Sequence, residues 1–147
     1  MKLYLLIALL PLIFARPEVT PPKKTSGTQS VRVKGAFLCG KNPAKDVLVK
    51  LMEEDFGKDD DDKLDQARTD ANGQFELEGT NTEYTTLDTA INIYHDCNDG
   101  ITPCQRRWKF EIPSKYLTAG SNATKTFDIG TWNLELVLPN EKHDCEH

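Results

Sequence analysis

After Phe14 the sequence has no long apolar run. That excludes a membrane-spanning helix, which takes about 20 consecutive apolar residues. A basic excess is also missing: 18 Lys and Arg stand against 23 Asp and Glu, for a net charge of −5. Without a basic footprint, nucleic acid is not an expected partner. Histidine is scarce, at three residues, and two of them, His143 and His147, lie in the C-terminal tail. Acid–base catalysis needs a positioned nucleophile or metal beside its base, and neither is evident, so no catalytic residue, metal centre or cofactor is expected. Apolar residues at helical spacing are few, which argues against a helical fold.

What the sequence does have is four cysteines behind an apolar leader. Lys2 supplies a positive charge, Leu3 to Phe14 is nearly all apolar, and Ala15 is a small residue at a cleavage position. That is the pattern of a secretory signal peptide, so residues 1–15 are expected to be removed and the protein exported. In an oxidising compartment Cys39, Cys97, Cys104 and Cys145 read as disulfides, not as metal ligands or reactive thiols. Residues 16–30 hold three prolines and almost no apolar side chains. Such a stretch buries too little to order itself, and a flexible arm is expected there. Residues 31–147 form one domain, long enough to bury a core of its own.

Within that domain the apolar period is two. Val31, Val33, Phe37 and Cys39 share one parity, and so do Val47, Val49 and Leu51. Phe75 and Leu77 alternate with polar residues, as do Ile91 with Ile93 and Trp108 with Phe110 and Ile112. Trp132, Leu134, Leu136 and Leu138 repeat the pattern, broken only at Val137. Alternation predicts strands with one buried and one wet face. Asp70-Ala71-Asn72-Gly73 predicts a hairpin turn, and Gly130 is read as separating two runs. An acidic loop is expected over residues 57–63. The fold class is therefore all-β, an antiparallel sandwich or barrel. Residues 87–93 or 113–119 have room for only a turn or two of helix.

The ordered motifs resemble one family. They are Val33-Lys34-Gly35-Ala36-Phe37-Leu38-Cys39, Pro43-Ala44 and Val47 to Leu51. Thr69 to Leu77 and Ile93-Tyr94-His95-Asp96-Cys97-Asn98-Asp99-Gly100 follow. Pro103-Cys104-Gln105-Arg106, Ile112 to Tyr116 and Phe127-Asp128-Ile129-Gly130 complete the set. The sequence resembles the nematode transthyretin-like family of secreted proteins. The resemblance implies a transthyretin-type sandwich of two antiparallel sheets of about four strands, outside the cell. It does not carry function with it, because one fold hosts many functions. The hydrolases of 5-hydroxyisourate share the fold type, but they end in Tyr-Arg-Gly-Ser, whereas this chain ends in His143-Asp144-Cys145-Glu146-His147.

Several side chains are weighed as sites. His95 beside Asp96 has the form of a general base, yet a histidine at a strand end also bonds its own turn. His143 and His147 flank Cys145 at alternate positions; with the cysteine oxidised, two nitrogens fall short of a tight metal site. Asp59-Asp60-Asp61-Asp62 lacks the spacing of a calcium loop. Arg106, Arg107 and Lys109 surround Trp108 at a strand start. They are the ligand-binding candidates: Arg107 and Lys109 share the face opposite Trp108 and Phe110, and such an exposed pair can grip a phosphate or carboxylate; an ordinary solvated strand face, paired with acidic neighbours across the sheet, is the plainer reading. Asn122-Ala123-Thr124 is a glycosylation sequon. The expected function is non-catalytic binding of a lipid, a small apolar ligand or a cell-surface protein, by a monomer. A hydrolase of the 5-hydroxyisourate branch and a structural or antigenic protein are the alternatives.

Four cysteines allow three pairings. The topology implied by the resemblance brings Cys39 and Cys97 to one end of the sandwich, in opposite sheets. It favours Cys39–Cys97 with Cys104–Cys145. Cys97 and Cys104 also bracket a short loop, so Cys97–Cys104 with Cys39–Cys145 stays open.

Overall fold

The alternating segments are strands, and two sheets of them bury one apolar core. The computed structural model describes residues 27–54 and 61–147. The leader, residues 16–26 and most of the acidic run lie outside the described residues.

Strand β1 (Gly27–Cys39) organises the first sheet. On one side it pairs antiparallel with β5 (Gln74–Glu83), and on the other it pairs in parallel with β9 (Phe127–Asn133). Two short strands, β2 (Asn42–Pro43) and β8 (Thr118–Ala119), pair with its ends. The second sheet has the order β10-β7-β6-β3-β4 and is antiparallel throughout. Its strands are β3 (Leu48–Glu53), β4 (Asp62–Arg68), β6 (Thr89–His95), β7 (Gln105–Glu111) and β10 (Lys142–Asp144). Among the described residues the one helical element is a short 3₁₀ turn, Ser114–Tyr116.

The parities decide the core. Val31, Val33 and Phe37 from the first sheet meet Val49, Leu51, Ile91, Ile93 and Trp108 from the second, all with no exposed surface. Phe37 stacks on Phe75 with ring centres 5.4 Å apart. Burying each such side chain contributes roughly 1.5–3 kcal/mol. The sheets also approach along one flank. There Gly79 of β5 faces Leu64 of β4, and a Cβ on Gly79 would lie 2.6 Å from that of Leu64.

Three expectations are corrected. Strand β1 begins at Gly27, inside the segment read as an arm, and Gln29 and Ser30 are fully buried. Hydrogen bonds make burial of a polar side chain possible: Gln29 Nε2 donates to the Thr85 carbonyl at 2.7 Å, and its Oε1 accepts from the Leu87 N–H at 3.1 Å. Gly130 does not separate two strands. With φ +74° it sits at an irregularity within β9, where the register shifts between Lys34↔Asp128 and Ala36↔Thr131. Finally, β9 ends at Asn133. Leu134 is fully buried, but Leu136 and Val137 lie in the following turn segment and point to solvent. Pro139 and the Asn133 side chain, which accepts from the Glu135 N–H at 3.1 Å, favour turning over extension.

Candidate binding surface at the disulfide-bonded end

Cys39 ends β1 and Cys97 follows β6, so their bridge ties the two sheets together, with Cα atoms 5.8 Å apart. A second bridge, Cys104–Cys145, ties the segment before β7 to the tail after β10, with Cα atoms 4.6 Å apart. This is the pairing that the resemblance favoured. The alternative with a local Cys97–Cys104 bridge is not the one formed.

Arg106 lies between these bridges. It shares the inward parity of Trp108 and is 4% exposed. Its guanidinium makes five hydrogen bonds. Nε and Nη2 donate to the two carboxylate oxygens of Glu141, at 2.5 and 2.8 Å. Nη1 donates to the carbonyls of Cys97 and Leu134, at 2.7 and 2.8 Å, and Nη2 to that of Leu136 at 2.6 Å. A guanidinium has five N–H groups, so none is left for a ligand. Trp108 Nε1 also donates to Glu141, at 2.8 Å. The bonds from Arg106 hold the Glu141 carboxyl at about pKa 2, and those from Glu141 raise Arg106 in turn.

The other two ligand-binding candidates lie on the opposite face of β7. Arg107 reaches Asp144 at 3.5 Å, and Lys109 pairs with Glu54. Next to them Lys50 sits 5.6 Å from the centre of the Tyr94 ring, and His147 stacks on that ring at 4.3 Å. Arg106 is thus separated from Arg107 and Lys109 by strand parity, and the three do not form one site.

His95 is 2% exposed, and its Nδ1 accepts the Cys97 N–H at 3.1 Å. Its ring meets Trp108 edge-on at 5.5 Å. Burial, with the Arg106 charge second, depresses its pKa to about 4. The imidazole is therefore neutral at pH 7 and serves its own turn. In the tail, His143 Nε2 bonds Asp99 at 2.8 Å while His147 lies on Tyr94. The two imidazoles are held on different partners. Among the described residues no group of three or more His, Cys, Asp or Glu side chains is placed to hold a metal ion.

Sequence reasoning missed the surface that these bonds brace. The loop over residues 96–104 and the segment 134–141 lie side by side. Arg106 bonds both, and Asn98 Nδ2 donates to Glu135 at 3.2 Å between them. Gly40 and the Asn133 side chain exchange two bonds of 3.1 Å, which fix the neighbouring turn. From this frame Ile101, Leu136 and Val137 project, with exposures of 103%, 52% and 77%. The break in alternation at Val137 was the one sequence signal.

Two further features lie elsewhere. An open groove of about 630 Å³ is lined by residues of both sheets, among them Lys34 and Asp128 from the first and Arg68 of β4 from the second. Asn122 is exposed in the connection between β8 and β9, at the end away from the bridges. Its loop is held by the Ala123 N–H on Glu78 at 3.2 Å and the Thr124 N–H on Thr118 at 3.1 Å.

A two-sheet sandwich whose loops at one end are braced by two cystines and a buried arginine defines a class of small β-domain. Residues 34–113 match the model of the transthyretin-like family. Transthyretin-like protein 33 of Caenorhabditis elegans is 46% identical over 120 residues, covering 82% of this chain and 84% of that protein. Transthyretin-like protein 46 is 50% identical over 117 residues, covering 79% and 65%, and transthyretin-like protein 5 is 44% identical over 120, covering 82% and 86%. The chain belongs to the transthyretin-like family. No helix among the described residues is long and apolar enough to cross a membrane.

Proposed function

We propose that this chain is an exported, non-catalytic binding protein that acts outside the cell as a monomer. Its ligand is a lipid, a small apolar molecule or a cell-surface protein. One observation carries the reading: Arg106 and the two cystines brace a pair of loops that hold aliphatic side chains out in solvent. Apolar groups held out on a braced frame favour a reading as an interaction site. The leader pattern and the cystines support export, and the exposed Asn122 sequon supports glycosylation on the way. Mass spectrometry of the natively purified protein, run without denaturant, tests the reading through a co-purified ligand. Turnover of 5-hydroxyisourate by the purified protein would overturn the non-catalytic part of it.

A further inference from the structure

We infer that residues 142–147 are a strap over the outer face of the second sheet, fastened by Cys104–Cys145, and that a dithiol reductant unfastens it while Cys39–Cys97 stays closed. The register shows what lies beneath. Tyr94 on β6 and Arg107 on β7 are cross-strand neighbours, and Lys142 continues the row on β10. Ile93 and His95 belong to the buried side of β6, so Tyr94 faces outward, yet it is only 4% exposed. The His147 ring covers its ring at 4.3 Å, and the Lys50 ammonium lies 5.6 Å from its centre. The strap thus lies over an aromatic side chain on a face that would otherwise be wet.

Little besides the cystine holds it there. Strand β10 has three residues. Asp144 meets Arg107 at 3.5 Å with both side chains partly exposed, and the exposed His143 bonds Asp99 at 2.8 Å. Ion pairs in contact with solvent contribute little. The two cystines also differ. Cys145 is exposed and Cys104 half-buried, whereas Cys97 is buried in the core and Cys39 packs against it. Thiol–disulfide exchange needs an approach to sulfur. Cys104 holds φ +67°, a left-handed backbone that disfavours a residue with a Cβ, and neither Cys39 nor Cys97 does. In the exchange, one thiolate of the reductant attacks Sγ of Cys145, and Cys104 leaves as a thiolate. The reductant's second thiolate then attacks its own sulfur in the mixed disulfide and releases Cys145. Two electrons and two protons pass to the two cysteines, and the reductant departs as its disulfide.

The test uses the full, disulfide-bonded protein, with dithiothreitol as the dithiol. Timed samples are alkylated with iodoacetamide, treated with N-acetylimidazole and mapped as peptides. Cys104 and Cys145 should be alkylated at least about ten-fold faster than Cys39 and Cys97. In the same samples acetylation of Tyr94 should rise toward that of Tyr84, which is 97% exposed and serves as the internal reference. Near-UV circular dichroism from the buried Trp108 should persist, which shows that the sandwich stays folded. Cys104→Ala/Cys145→Ala should acetylate Tyr94 without reductant. Loss of both bridges together, or of Cys39–Cys97 first, overturns the inference. So does an absent Cys104–Cys145 bridge, in the reduced protein or the double variant, that leaves Tyr94 as shielded as before. Tyr94 that already reacts like Tyr84 in the oxidised protein overturns it as well.

Discussion

The guanidinium of Arg106 and the carboxylate of Glu141 meet through two parallel hydrogen bonds, 2.5 and 2.8 Å long, with both side chains shielded from solvent. Removing one partner of such a pair leaves a buried charge unmatched, which typically costs about 3–5 kcal/mol. Arg106→Leu and Glu141→Ala should each destabilise the protein on that scale. Arg106→Lys should not rescue it, because an ammonium lacks the planar fork. Urea denaturation checks this, and a double-mutant cycle should show strong coupling. Two independent, additive losses would contradict the paired geometry.

Acid should weaken the fold in two steps. The folded pKa of His95 is about 4, below its ordinary 6.5. Between those values the unfolded chain binds the proton and the folded one resists it, so stability falls as pH drops from 6.5 to 4, by at most about 1.4 kcal/mol per pH unit. Glu141 titrates from 4.5 in the unfolded chain to about 2 in the fold, so its contribution is full above 4.5 and is lost as pH falls toward 2. His95→Asn keeps an acceptor near the Cys97 N–H and should flatten the curve between 6.5 and 4 only. Denaturation midpoints at pH 7, 5 and 3 read both steps.

Gly35→Ala should destabilise by about 1–3 kcal/mol through overpacking. Its Cβ would lie 2.3 Å from Cγ1 of Ile129 and 3.0 Å from the Phe75 ring. Ile129→Ala in the same chain should relieve most of the added cost. If the double variant loses as much stability as the two single losses added together, or more, the contact is not the cause.

Peptide mapping without reduction should recover Cys39 bonded to Cys97 and Cys104 bonded to Cys145. The bridges close loops with sequence separations of 58 and 41. Loop-closure entropy then predicts stabilisation of about 4 kcal/mol from each. Replacing Cys104 and Cys145 together by alanine should lower the melting temperature and also loosen residues 141–147, seen as faster amide exchange at β10.

The sequence made the core strands legible because one face of each is dry. Val33, Leu51, Ile93 and Trp108 fall on the buried side that period two assigns them. It hid β4, because Leu64 is an extra residue in that strand: the register steps from Leu51↔Asp65 to Met52↔Lys63 and breaks the alternation. It hid the start of β1, where Gln29 is buried on hydrogen bonds instead of apolar contacts. The leucines after Trp132 kept the period of a strand, yet only Leu134 turns inward and the chain bends away. For the candidate surface, Arg106 reads as a ligand-binding candidate beside the exposed pair Arg107 and Lys109. Its partner Glu141 lies 35 positions away, and no local pattern announces a bond of that reach.

Strand β1 touches β2, β5, β8 and β9, whose residues run from 42 to 133. Folding the first sheet therefore requires the chain to bring segments nearly a hundred positions apart into register before β9 finds its parallel seat. Such a topology folds slowly for its size, and until β9 arrives one margin of β1 offers unpaired backbone to any passing strand. For this protein the hazardous interval is therefore during assembly, before β9 has taken its place beside β1.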